Sequence, residues 1–292
     1  MELPKEGRLG KNEIIGKIML KVSSFPSMPQ AAVKVMALIQ QEDIAIDELA
    51  QVLRHDPGLT ANVLKLANSA FFGIPSKVGS LKQAIVLLGL KRFTQIVVAA
   101  CINEHMDSAV EGYDLPPGEL WRHSIAVSTA AEALGKFKKK LAAEDAFTPA
   151  LLHDMGKLVL GKFVKEEFNN IKKIAAQGVP FEVAENMVLG TDHAEIGAQI
   201  LANWAFPRDI IDAVRWHHNP ERIKNSKLHA EIVYLANLLC EACGDGEFTE
   251  RKPLMPSTVV LDRLGIKVDQ YELISSRVAS WMNKLADTLT FD

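Results

Sequence analysis

Apolar residues recur at intervals of three and four along nearly the whole chain, and strict apolar/polar alternation is scarce. Val33, Met36, Ala37 and Ile39 fall on one stripe; Leu49, Val52 and Leu53 form a second; Val63, Leu64, Leu66 and Ala67 form a third. Spacing near 3.6 residues is the mark of an amphipathic helix. The stop and start signals agree with it. Asp56-Pro57 sets a capping side chain before a proline at the first helical position. Ser80 precedes "LKQAIVLLG", which ends at Gly89. Asp192 and Glu195 stand at capping-box spacing, and Pro180 and Pro207 each open a helical pattern. With helices of about 11–12 residues, the pattern predicts an all-α protein of about 12 to 15 helices.

The polar stretches divide the chain. "SSFPSMPQ" (23–30) is punctuated by proline and precedes the first compact helices. "MDSAVEGYDLPPGEL" (106–120), with Pro116-Pro117-Gly118, is the main internal break, and "CGDGEFTERKPLMPST" (243–258) is a second. The expected organisation is an N-terminal helical lobe over 1–113, a middle helical lobe over 114–245 and a C-terminal helical tail over 246–292. There is no internal repeat and no low-complexity segment.

Composition narrows the function classes. The 292 residues are 48% hydrophobic, enough for one large core or two modest ones. A net charge of −3 leaves no basic excess, which argues against bulk nucleic-acid binding. The dense basic run Lys136-Phe137-Lys138-Lys139-Lys140 reads as a solvated helix end, where cations suit the helix dipole. Three cysteines, Cys101, Cys240 and Cys243, are too few for a disulfide framework and fit a reducing compartment. Cys240 and Cys243 have C-x-x-C spacing but no second pair, so they read as packing residues. The first twenty residues carry charges throughout, without a secretory apolar run. The longest apolar run, around Ile96–Ile102, is far shorter than the roughly 20 residues that span a bilayer. These features predict a soluble, cytoplasmic protein with neither a membrane nor a nucleic-acid partner.

Candidate chemistry concentrates in the middle lobe: His123, His153, Asp154, His193, His217 and His218. Imidazole and carboxylate together are the ligands of Zn, Fe, Mn and Ni sites. Neighbouring residues on a helix point about 100° apart, so His153 and Asp154 share one cavity only at its wall, and other helices must supply the remaining ligands. Leu151 and Leu152 precede the doublet directly, which predicts burial, and a buried aspartate needs a partner. In the first lobe, His55 lies beside Asp56, which a helix cap explains, while Phe71 and Phe72 read as core or inter-lobe contacts.

The ordered series His123, "LLHDMGK", "TDHAEIG" and "WHHNPE" resembles the HD superfamily of metal-dependent phosphohydrolases. It is most similar to the HDOD family, a branch related to the HD-GYP cyclic-di-GMP phosphodiesterases. "FPSMPQAAVKVMALIQ", "LAQVLRHDPGLTANVLKLANSAFFG" and "SLKQAIVLLGLKRF" resemble that family's own helical region, so the likeness covers about residues 20–240. The resemblance implies a two-lobed helical bundle with an HD-type lobe and a role as a bacterial signalling or regulatory module. It implies that His123, His153, Asp154, His193, His217 and His218 are metal ligands, and that Asp154 and Lys157 would be catalytic in an active relative, Lys157 facing a substrate phosphate. Two features depart from active relatives. Asn237 stands where the final aspartate is expected, and "HHNPERIKNSK" lacks a GYP tripeptide. An amide offers a cation only a neutral oxygen, which weakens both the ion and its activation of water. Three readings follow: a signalling module without hydrolytic turnover, which the departures favour; a metal-dependent phosphohydrolase or phosphodiesterase acting on nucleotides; and a metal-free helical scaffold. A divalent ion (Fe, Mn, Zn or Ni) is the expected cofactor if one is bound. With no receiver, cyclase or phosphodiesterase domain in the chain, input is expected from a protein partner in a signalling pathway or from a nucleotide-like ligand.

Overall fold

The helix-starting signals read from the chain are the ones that cap helices in the computed structural model, which describes residues 10–39, 41, 44–72, 74, 76–137, 143–223, 228–242 and 255–286. Lys138, Lys139, Lys140, Cys243 and most of the 243–258 break lie outside the described residues. Within them the architecture is all-α, with fourteen α-helices, four short 3-10 turns and one isolated bridge between Val110 and Leu115. The first lobe comprises α2 (Gln30–Leu38), α3 (Ile46–Arg54), α4 (Pro57–Ala67) and α5 (Leu81–Met106), while α1 (Lys11–Ser23) packs on later helices between residues 157 and 203. Asp56 accepts the Leu59 amide at 3.0 Å to cap α4, and Ser80 accepts the Gln83 amide at 3.2 Å to cap α5. Gly89 ends the first helical stretch, as the sequence predicts, and leaves a kink within α5. It takes φ 75°, a conformation that favours glycine, and α5 resumes beyond it. By length and composition alone α5 could cross a membrane. Its apolar residues are accounted for inside the bundle, where Phe93, Ile96, Val97 and Ile102 are fully buried.

A connector over 107–118 leads into the second lobe. It is folded tightly against that lobe, and a Cβ on Gly112 would lie 1.9 Å from the Gly161 carbonyl oxygen. The second lobe holds α6 (Glu119–Phe137), α7 (Phe147–Leu152), α8 (Lys157–Ala175), α9 (Phe181–Leu189), α10 (His193–Asn203), α11 (Arg208–Arg215) and α12 (Leu228–Ala242). Two last helices, α13 (Thr258–Leu264) and α14 (Val268–Ala286), pack on α12. The largest apolar cluster runs through both lobes, from Leu49 and Leu53 in α3 to Phe181 and Leu189 in α9. A smaller one joins α6, α12, α13 and α14.

Phe71 and Phe72 do form an inter-lobe contact. They stack with Phe147 of α7, and the Arg92 guanidinium of α5 lies 5.1 Å from the Phe72 and Phe147 ring centres. Arg92 also pairs with Glu132 on α6. Cys101 is buried, and burial, with the Asp56 charge, pushes its thiol up to about 12, which keeps it protonated and inert.

Candidate metal centre

The candidate residues arrive from four separate segments. His123 projects from α6; His153 and Asp154 stand in the tight turn between α7 and α8; Lys157 opens α8; His193 opens α10; His217 and His218 follow α11. Two of these joints need no side chain between them. A Cβ on Gly156 would lie 1.9 Å from the His193 carbonyl oxygen, so glycine lets the His-Asp turn press directly on the start of α10. Asp192 then starts α10 by accepting the Glu195 amide at 2.8 Å. The reverse half of the capping box is not formed, because the Glu195 carboxylate accepts from Gln199 and Arg215 instead.

Asp154 is the centre of the cluster. Its Oδ2 lies 2.6 Å from Lys157 Nζ, 3.2 Å from His153 Nε2 and 3.5 Å from His123 Nε2. Its Oδ1 lies 3.4 Å from His193 Nε2 and 3.8 Å from His217 Nε2. His218 joins through a 2.9 Å contact between its Nε2 and that of His193. His123, His153 and Asp154 can present ligand atoms within 4.8 Å of one another, and so can His193, His217 and His218. The structure therefore brings together all seven side chains singled out in the sequence.

The protonation pattern suits a cation. His153 Nδ1 lies 2.7 Å from the Ala150 carbonyl, and His217 Nδ1 lies 2.7 Å from the Val214 carbonyl. Each Nδ1 must carry the proton to make that bond, which leaves a lone pair on Nε2. Both Nε2 atoms are buried with no hydrogen-bond partner among the described residues. Lone pairs that face a carboxylate repel it, and a divalent ion held among them would remove the conflict, so the residues present fit a metal.

Electrostatics point the same way. Burial works against the Asp154 carboxylate, but the positive charge beside it, the Lys157 ammonium and then His193, outweighs burial and holds the group well below its usual range. Burial keeps His153 and His217 neutral. His193 is the exception: burial opposes its charge, yet the Glu185 carboxylate raises it to about 9.

Glu185 and Tyr113 were missed in the sequence. Glu185 is fully buried on α9, accepts the His193 amide at 3.1 Å, and lies 2.7 Å from His193 Nδ1. Its other oxygen accepts the Tyr113 hydroxyl of the connector. A signal for Glu185 existed. It occupies the apolar stripe of α9 between Phe181 and Leu189, where a charged residue needs a buried partner. Tyr113 left no such trace. Asn237, the expected substitute for a final aspartate, is buried on α12, which packs on α6 and α7. Its Nδ2 donates to Glu241 at 2.9 Å, and its Oδ1 has no hydrogen-bond partner among the described residues.

An all-α, two-lobed bundle that gathers five histidines around the aspartate of a His-Asp doublet defines an HD-type domain protein. Residues 25–220 match the HDOD domain family, and the chain belongs to it. Solved structures agree with the fold. An HDOD domain protein from Geobacter sulfurreducens is 24% identical with a TM-score of 0.75, covering 93% of this chain and 97% of its own. A proposed phosphohydrolase from Shewanella amazonensis is 26% identical with a TM-score of 0.69, covering 90% and 93%. Ribonuclease Y from Mycoplasmoides gallisepticum is 32% identical over 124 residues, 41% of this chain and 18% of that protein. The chain spans less than half the length of the curated relatives it matches, 44% and 18%.

Proposed function

We propose that the chain is a regulatory HDOD module of a bacterial signalling pathway whose histidine–aspartate centre binds a divalent metal without turning over phosphoesters. The observation that carries the reading is the burial of the centre and the engagement of its lysine. His123, His153, Asp154, Lys157, His193 and His217 are all buried, and the Lys157 ammonium, which the family resemblance turns toward a substrate phosphate, is engaged by Asp154 at 2.6 Å. Hydrolysis needs an activated water, an acid or base and an open substrate pocket. The neutral Asn237 supports the same reading by withholding a negative charge from any ion. When bound, the metal would supply Lewis acidity and a strong local positive charge. His123, His153, Asp154, His193, His217 and His218 would hold it, with Fe, Mn, Zn and Ni as the ions that suit imidazole and carboxylate. The odd cysteine count supports a cytoplasmic setting, and the partner would be another protein of the pathway or a nucleotide-like ligand.

The second reading is a metal-dependent phosphohydrolase acting on nucleotides, with Asp154 and Lys157 in catalytic roles. The intact His-Asp doublet and the likeness to the Shewanella phosphohydrolase and to ribonuclease Y favour it. Incubation with cyclic dinucleotides, nucleoside triphosphates and simple phosphodiesters in Mn²⁺ or Fe²⁺ decides between the two. No release of product above a metal-only control is expected. Robust hydrolysis that disappears in Asp154→Asn would overturn the regulatory reading.

A further inference from the structure

Three histidines turn Nε2 toward Asp154 while Nδ1 is engaged behind them, but the engagement is of two kinds. His153 and His217 use a backbone carbonyl three residues earlier, at Ala150 and Val214. Those partners come with the local backbone and cannot be separated from the fold. His193 has no such option. It is the first residue of α10, and the residue three before it is Gly190, the left-handed cap of α9 with φ 84°. A side chain has to do the work, and Glu185 does it.

Every part of the Glu185 carboxylate is directed to this task. One oxygen lies 2.7 Å from the His193 ring Nδ1 and accepts its backbone amide at 3.1 Å, one of the amides that a helix start leaves unpaired. The other oxygen accepts from Tyr113, itself buried. The buried acidic residues among those described are Asp154, Glu185 and Glu231, so two of the three belong to this centre. Tyr113 belongs to the connector between the lobes, which Gly112 seats against α8. Tyr113 also faces the Lys157 ammonium, 5.5 Å from its ring centre.

We infer that Glu185 is a positioning residue that holds the His193 ring with Nε2 toward Asp154, and that Tyr113 fixes Glu185, tying this ligand to the inter-lobe connector. The inference rests on the metal-centre reading for its consequence, since a carboxylate behind a ligand histidine sets its orientation and basicity.

The test compares wild type, Glu185→Ala, Glu185→Gln, Tyr113→Phe, His193→Ala and the Glu185→Ala/His193→Ala double variant. Zn²⁺ and Co²⁺ affinities would be measured by calorimetry, with the visible spectrum of bound Co²⁺ as a signature of the ligand set. Glu185→Ala is expected to weaken affinity about 10- to 100-fold. Glu185→Gln, which keeps an acceptor oxygen, should recover part of it, and Tyr113→Phe should lose about threefold to tenfold. The double variant should bind no more weakly than His193→Ala, because Glu185 acts through His193. Additive losses, or an unchanged affinity and spectrum in both Glu185 variants, would overturn the inference while leaving the metal reading intact. If wild type binds neither ion, the metal reading fails instead. A crystal structure of metal-free Glu185→Gln and Tyr113→Phe then decides the inference alone: His193 is expected to rotate or disorder, and an unmoved ring in both refutes it.

Discussion

Asp154 is buried together with a lysine ammonium and four imidazoles, and burying a charge is tolerable only where a partner compensates it. Asp154→Asn removes that compensation and leaves Lys157 charged inside the protein. A loss of about 3–5 kcal/mol in urea unfolding is expected, with most of it recovered in Asp154→Asn/Lys157→Met. The same residues predict a pH profile for chelated protein. His153 and His217 have folded values below their usual 6.5, so the unfolded chain takes up protons first, and stability is full above about 6.5 and falls as pH drops below it. Asp154, held below its usual 3.8, adds a further loss at more acid pH. His193 runs the other way. Raised to about 9, it contributes fully below about 6.5, and the contribution is lost as pH rises through 9. The urea midpoint should therefore peak near neutrality, with the alkaline limb flattened in Glu185→Gln; a midpoint constant from pH 5 to 9 would contradict the assignment. At this scale the sequence was informative where chemistry is adjacent. The His-Asp doublet and its burial after Leu151-Leu152 could be read directly. The charge state of His193 could not, because it depends on a carboxylate from another helix.

Helix starts were legible because a cap is local. Asp56, Ser80 and Asp192 each act on an amide three residues away. Glycines show where locality ends. Gly16 in α1 and Gly156 before α8 look alike as residues near or within helices. A Cβ on Gly16 meets nothing within 4 Å, so Gly16→Ala should stabilise by up to about 1 kcal/mol. A Cβ on Gly156 would collide with the His193 backbone, and Gly156→Ala should cost about 3 kcal/mol or more and disturb metal binding. Thermal melts of the two variants check the pair, and a shift of the same sign in both would refute it. The half-formed capping box has the same origin, since Arg215 of α11 competes for Glu195 once the fold brings it near.

Across the whole molecule the lobes are joined by a shared core and by Arg92, which combines the Glu132 ion pair with the Phe72 and Phe147 rings. Arg92→Ala removes the Glu132 pair and the two ring contacts of a half-buried cation and should cost about 1–2 kcal/mol, read as a lower urea midpoint. Hydrogen exchange should rise at α5 and α6 together; protection lost in α5 alone would show that the residue does not clamp the lobes. Phe71 and Phe72 could be foreseen as contact residues, but their cation could not. Helical class, the helix starts and the inventory of metal-type side chains followed from the chain alone, because periodicity, caps and the adjacency of His153 and Asp154 act within a turn or two. The meeting of that inventory around Asp154 required folding. So did the Tyr113–Glu185–His193 chain, whose first two members are 72 residues apart, and the Arg92–Glu132 pair, separated by 40. Such contacts arise only when helices distant in sequence are packed together, and no local pattern encodes which buried charge will find which partner.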